Sequence, residues 1–441
     1  MLRKLLCLFL ICFALQPALS FNNWPLAASA ERRQLSSHTA ATAHQHADAV
    51  SQRKTRGRAL WPNSSFTEVD RKRAILRGLQ FIYRTALQQK NFEDYGQDYL
   101  WCFYTLSAAV LDVDARRMAR RMGMERARFW RRTHRFVSSD ADAVTISTLA
   151  YGNDAADSLG VYDHELTRQL KRAAPRFKAR DYLLFDPLTE SPPVDVPDDC
   201  KRCGASNVRG AKVCFVCKTP LIMRTRYDVW YDALITAYVA ERSGINFGAR
   251  YLDVLKWLPT LRPYRASPGD VGEEFHDTVY AITHIVYTLN NYSQYKLSPR
   301  LLPQEFEFLK TNLKAAIDDN DDDMLGEFMD SLRAFGLTTN DPSIRAGMEY
   351  YLSHQNRDGS WGDEKEKDIY LRYHPTWNAI AGLSEYTWKS EGLSFPEVKP
   401  WLEKWAQPES NNSSGLRLSP DTSLSRHRRL LSNLIFNLEA N

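Results

Sequence analysis

Beyond its N-terminal leader this 441-residue chain has no run of about 18 apolar residues, the length a membrane-crossing helix needs. A helical channel or transporter is therefore not expected. Cysteine is scarce as well: seven in all, two of them (Cys7 and Cys12) close to the N-terminus, too few for an exported fold held by many disulfides. Charge of one sign is also lacking, since 58 Lys and Arg against 53 Asp and Glu leave only +5. Arg116, Arg117, Arg120 and Arg121 do cluster at helical spacing, but apart from Phe129 and Trp130 no stacking aromatics are interleaved. They read as a solvated helix face rather than a nucleic-acid surface.

What is present is a repeat. Tyr227-Asp228, His276-Asp277-Thr278, Asp321-Asp322-Asp323 and His374-Pro375-Thr376-Trp377 each open a helix-like run, and positions 228, 277, 322 and 375 are separated by steps of 49, 45 and 53 residues. A period of roughly 20–50 residues signals stacked supersecondary units. After each opening an apolar helix (279–289, 324–335, 377–386) leads through a loop to an amphipathic one (306–317, 342–352, 396–405). The first kind is packed all round and reads as inner; Phe306, Leu309, Leu313 and Ile317 step by three, four and four, the mark of an outer helix with one wet face. Two earlier openings fall at Gln97-Asp98 and Asp140 to Asp142. Six such units predict an all-α chain, an (α/α)6 toroid of helical hairpins over 66–405 carrying a small zinc-ribbon insert at 185–223.

Gln355, Gly359 and Trp361, with Ala346, Tyr351 and Leu352 before them, spell Q-x3-G-x-W. This stretch resembles the QW repeat of the squalene (terpene) cyclases and the similar repeat of protein prenyltransferase β subunits. The resemblance implies an α/α toroid in which the Gln and Trp tie one helix end to the next loop. Asp319-Asn320-Asp321-Asp322 also matches the D-x-D-D spelling of the acid that those cyclases use. The further QW repeats of a full cyclase and the prenyltransferase zinc ligands are missing. Acidic residues in a first helical turn are in any case favoured by the helix dipole, so a solvated cap explains the cluster too.

In a toroid all inner helices point one way, so His276, Asp277, Asp322 and His374 are expected at one mouth, with His284 two turns deeper. Histidines beside carboxylates suit a general acid–base pair or a divalent metal. Tyr280, Tyr370, Tyr373 and Trp377 would line the opening for an apolar or glycan ligand.

Cys200, Cys203, Cys214 and Cys217 form C-x2-C-x10-C-x2-C, two knuckles at tetrahedral zinc spacing. The segment looks like a small zinc ribbon whose metal is structural, because no position is left open for water; a pair of disulfides is the alternative. With Asn207 the spacing is similar to that of the Ran-binding nucleoporin zinc finger, but Asp198 and Val208 stand where that family has aromatic residues.

Arg3 and Lys4 before the apolar run 5–15, with Ala18-Leu19-Ser20 at a cut site, predict a signal peptide over 1–20. Residues 21–65 are too poor in large apolar side chains to bury a core and are expected to be disordered. Residues 406–441 are expected to form a flexible tail. Arg33 and Leu35 within Arg33-Gln34-Leu35-Ser36 give this arm a likeness to the layout of oomycete RxLR effectors, although Ser36 replaces the final Arg. Asn63, Asn291 and Asn412 head glycosylation sequons. Four thiols arranged for zinc in an exported chain suit a reducing destination. The expectation is a secreted effector-type protein that reaches host-cell cytoplasm and engages a host protein through its toroidal scaffold. The alternative is a secreted enzyme of the cyclase and prenyltransferase-like class with its acid and His cluster at the mouth.

Overall fold

The computed structural model describes residues 59–269 and 274–407. The expected signal peptide, most of the arm with Arg33 and Leu35, and nearly all of the tail with Asn412 lie outside them. Residues 59–65, expected to belong to the arm, are tied down instead: Ala59 pairs with Thr67, and Leu60 and Trp61 pack against the core. Two large apolar side chains are enough to hold that short stretch.

The described chain is mostly helical, as the hydropathy pattern predicts. Its helices are α1 (Glu68–Ala86), α2 (Gln89–Ala109), α3 (Val113–Thr133), α4 (Ala143–Ser158), α5 (His164–Ala173), α6 (Ala179–Leu183) and α7 (Arg226–Ser243). There follow α8 (Tyr251–Leu255), α9 (Leu258–Leu261), α10 (Glu274–Leu289), α11 (Pro303–Asp318), α12 (Asp322–Ala334), α13 (Pro342–His354), α14 (Tyr370–Leu383) and α15 (Lys399–Ala406). One two-residue parallel pair, β1 (Tyr295–Lys296) with β2 (Ser390–Glu391), ties the loop after α10 to the one after α14. Among the described residues no helix is long and apolar enough to cross a membrane.

Two kinds of helix alternate, and the sequence explains both. α7 buries Val229, Trp230, Tyr231, Leu234, Ile235 and Tyr238, residues that point in every direction round its axis, so it must be surrounded. α11 buries Leu309, Leu313 and Ala316 along one stripe and leaves the opposite side wet. Packing follows this division. α2 lies on α4, α4 on α7, α7 on α10, α10 on α12 and α12 on α14, and α14 returns to α2. The amphipathic helices sit outside these junctions: α3 against α2 and α4, α11 against α10 and α12, α13 against α12 and α14, and α1 against α14 and α2. On α3, Arg117, Arg120 and Arg121 are exposed, as expected of a solvated face.

Several acidic openings are helix caps. The Asp142 side chain accepts from the Thr145 amide, and the Asp321 side chain accepts from the amides of Asp323 and Met324. The Gln97-Asp98 opening follows a kink inside α2 at Tyr95. His374-Pro375 is different: α14 begins at Tyr370, so His374 stands one turn inside the helix and Pro375 lies within it. A proline usually marks a first turn. Here the preceding turn forms anyway, because its Tyr370 and Tyr373 rings are packed against Tyr95. The expected last helix, 396–405, is a short 3-10 turn at Pro396–Val398 followed by α15.

α12 and α14 approach very closely at one point. A Cβ on Gly326 would stand 2.3 Å from the carbonyl oxygen of Asn378. Only glycine fits there, and this closeness sets the distance between the side chains one turn earlier on each helix.

Candidate active site

That preceding turn holds the centre of the site. Asp323 of α12 is partly buried among three donors: His374 Nδ1 at 2.7 Å, Asn378 Nδ2 at 2.8 Å, and the Tyr280 hydroxyl of α10 at 2.6 Å. Burial alone would make the His374 imidazole less basic, but the Asp323 charge and hydrogen bond outweigh it and raise the ring to about 9. Asp323 itself is lowered, since the same imidazolium overcomes its desolvation. Tyr370 stacks on the ring with centroids 4.8 Å apart.

Asp323, Glu327 and Asp330 step by four and three residues, so one face of α12 carries three carboxyls into the interior. Glu327 accepts from the Thr283 hydroxyl at 2.5 Å and has no cationic hydrogen-bond donor; burial, and next the Asp323 charge, push its carboxyl up to about 8. Asp330 accepts from Ser293 at 2.7 Å and is raised by burial to about 6. From α2, Asp98 takes the Tyr373 hydroxyl on Oδ2 at 2.7 Å, while its buried Oδ1 has no hydrogen-bond partner. Burial raises this carboxyl too. His284 of α10 keeps Nδ1 2.8 Å from the Tyr280 carbonyl, which can only accept, so the proton sits on Nδ1 and Nε2 carries the lone pair. Its pKa falls to about 4 because burial disfavours the cation.

These groups surround a cavity of about 630 Å³, counting the part open to solvent. Asp98, His284, Glu327, Asp330, His374 and Asn378 share its lining with Tyr151, Tyr287, Tyr292, Trp377 and Tyr386, and neither Lys nor Arg is among the lining residues. The loop that closes one side is strained: Asn291, Tyr292 and Ser293 all have left-handed backbones, φ of 54°, 50° and 63°. Three consecutive non-glycine residues hold this shape because Tyr292 packs on Trp101, Tyr238 and Tyr287. The Asn291 side chain is held by the Tyr238 hydroxyl at 2.6 Å and Arg242 at 2.8 Å.

Of the four residues expected at a shared mouth, His374 alone lines the cavity. His276 lies half-exposed 3.4 Å from Asp321. Asp277 is buried and accepts from the Thr225 hydroxyl at 2.7 Å. Asp322 accepts the Gly362 amide at 2.9 Å and is raised by burial to about 6, which binds the start of α12 to the Gln355–Gly362 loop. In that loop Gln355 donates to the carbonyls of Ala74 and Gly359, and Trp361 donates to the Tyr351 carbonyl at 2.9 Å with its ring fully buried. These contacts join α13 to α1. Sequence reasoning missed Glu327 and Asp330 and met Asp98 only as a helix opening; three carboxyls at steps of four and three in an otherwise apolar helix were the available signal.

Away from the cavity, between α6 and α7, the sulfurs of Cys200, Cys203, Cys214 and Cys217 all lie within 4.8 Å of one another. Among the described residues this is the one group of three or more metal-ligating side chains whose ligand atoms come that close together. The thiols are free, with Cys200 and Cys217 sulfurs 3.4 Å apart and those of Cys203 and Cys214 3.7 Å apart. Of the sequon residues, Asn63 is exposed.

Set against known protein families, curated proteins and solved structures, the chain matches none.

Proposed function

We propose that this chain is an enzyme whose acid–base centre occupies the middle of an (α/α)6 toroid. The toroid reading is supported by the run of inner packing from α2 through α4, α7, α10 and α12 to α14 and back to α2, with α3, α11, α13 and α1 outside four of its junctions. The catalytic reading is carried by one observation: Asp98, Glu327 and Asp330 converge on a single cavity with no arginine or lysine on its wall. Burial with no arginine or lysine on the wall raises all three carboxyls, Glu327 to about 8 and Asp330 to about 6, so their protonation states separate. Glu327 is protonated at neutral pH and serves as proton donor; Asp98, with a free oxygen, serves as acceptor. Asp323 holds His374 as a fixed imidazolium that stabilises negative charge on a neighbouring group. The aromatic walls hold an organic ligand.

Incubation of the purified protein with cell extracts, followed by mass spectrometry of small molecules, tests this reading. Glu327→Gln should slow any conversion by at least about 100-fold while keeping a cooperative melting transition, and His276→Ala should leave it unchanged. Conversion that survives Glu327→Gln contradicts the proposal.

The four thiols suit zinc. Tetrahedral Zn–S bonds of about 2.3 Å place sulfurs roughly 3.8 Å apart, close to the spacing found here. Such an ion would clamp the two knuckles, and with all four positions filled by cysteine it would have no place for a substrate. One equivalent of zinc per chain, lost on chelation together with the fold of the insert, is the expected measurement.

The second reading is export and action in a host cell through a host-protein partner. It is favoured by free, metal-ready thiols in a chain whose leader reads as a signal peptide. A host phenotype that survives Glu327→Gln would support it against the enzymatic reading.

A further inference from the structure

We infer that the cavity takes a neutral glycoside, with Glu327 protonating the departing oxygen and Asp98 Oδ1 receiving the proton of the attacking water. This rests on the acid–base reading above and adds the substrate class. The lining mixes aromatic side chains, Trp377, Tyr151 and Tyr292 among them, with hydrogen-bonding groups such as Asp98, Asp330 and Asn378. A sugar ring presents the matching surfaces, C–H faces for the aromatics and hydroxyls for the acceptors.

Other ligand classes fit less well. An anion would meet several carboxyls and no Lys or Arg on the wall. An isoprenoid would cover the polar groups without bonding to them, and Asp98 Oδ1, already without a partner, would stay so. A quaternary ammonium would suit the aromatics and carboxylates, but it neither needs a proton donor nor tolerates the His374 imidazolium on the same wall.

The step balances with water as the co-reactant. Glu327 gives its carboxyl proton to the glycosidic oxygen as the bond from that oxygen to the anomeric carbon breaks. Water oxygen bonds to the anomeric carbon, and the water's proton goes to Asp98. The products are a hemiacetal sugar and an alcohol, and solvent returns the proton from Asp98 to Glu327. Burial makes Asp98 more basic than an ordinary carboxylate, as an acceptor must be, while the His374 charge and the Tyr373 hydroxyl restrain the rise.

The test uses the full chain with neutral gluco-, manno- and xylo-oligosaccharides in both anomeric linkages, and farnesol and choline as competing classes. Binding is read by calorimetry and cleavage by released reducing ends. At least one sugar should bind wild type and Glu327→Gln equally, within about threefold, and be cleaved about 100-fold more slowly by the variant. Trp377→Ala should weaken binding about tenfold, and Asp98→Asn should lose cleavage without a change in melting temperature. Binding of farnesol or choline with no sugar bound overturns the glycoside inference and leaves the acid–base reading intact. No binding by any sugar also overturns the inference. Sugar binding without cleavage by the wild type overturns the acid–base reading. Loss of cleavage in Asp330→Asn but not in Asp98→Asn overturns the role of Asp98.

Discussion

Two sets of buried carboxyls in this molecule are treated in opposite ways. One set, outside the cavity, is paired with arginine: Glu305 is fully buried and bound by Arg262 at 2.6 and 2.8 Å, Arg224 holds Asp228, and Arg131 holds the partly buried Asp157. Inside the cavity Glu327, Asp330 and Asp98 receive only hydroxyls, from Thr283, Ser293 and Tyr373. In the first set an opposite charge offsets the desolvation of the carboxylate, and the result is a clamp between chain segments. In the second set the charge is avoided by holding the proton, and the result is a group able to give that proton away. Asp323 lies between the two, paired with a histidine that can itself titrate.

The largest effect should come from breaking a clamp. Arg262→Ala leaves the buried Glu305 without its arginine and should cost about 3–5 kcal/mol in denaturant unfolding. If the loss is below about 1 kcal/mol, the clamp reading of the outer set fails.

Glu327→Gln should behave in the opposite manner. A carboxyl raised from 4.5 to about 8 holds a proton in the folded state that the unfolded chain has released, so stability falls as pH rises through that window and is level above it. The variant lacks this slope. Its melting temperature relative to wild type should therefore climb from pH 5 to pH 8; a constant difference would mean that Glu327 titrates normally.

The Asp323–His374 pair should show a smaller slope at higher pH. Because the ring is raised from 6.5 to about 9, its contribution is complete below pH 6.5 and is lost as pH rises through 9. Asp323→Asn should remove that part of the profile, and persistence of the slope in the variant would assign it to another group. His276→Ala should do least, within about 0.5 kcal/mol, because the ring is half-exposed at the surface beside Asp321.

How much of this was legible in the sequence depends on how local each feature is. Hydropathy period, caps such as Asp142 and Asp321, and the cysteine spacing are set by neighbouring residues, and each has a counterpart among the helices and side-chain contacts. The cavity is not local. Asp98 meets Tyr373 across 275 residues, and Asp323 meets His374 only because Gly326 lets α12 and α14 nearly touch. Sequence reasoning therefore favoured conspicuous acidic clusters at helix starts, where Asp321 caps α12 and Asp322 binds a loop amide. Glu327, between Gly326 and Phe328 in the middle of α12, is less visible and better placed for chemistry.

The most direct measurement is the protonation of Glu327 itself, by infrared difference spectroscopy of wild type against Glu327→Gln across pH 4 to 10. The account predicts a protonated carboxyl band at pH 7 that disappears with a midpoint near 8 and is missing from the variant. A carboxylate already ionised at pH 6 would mean that the cavity holds its acids as the rest of the molecule does, and the acid–base centre would be withdrawn.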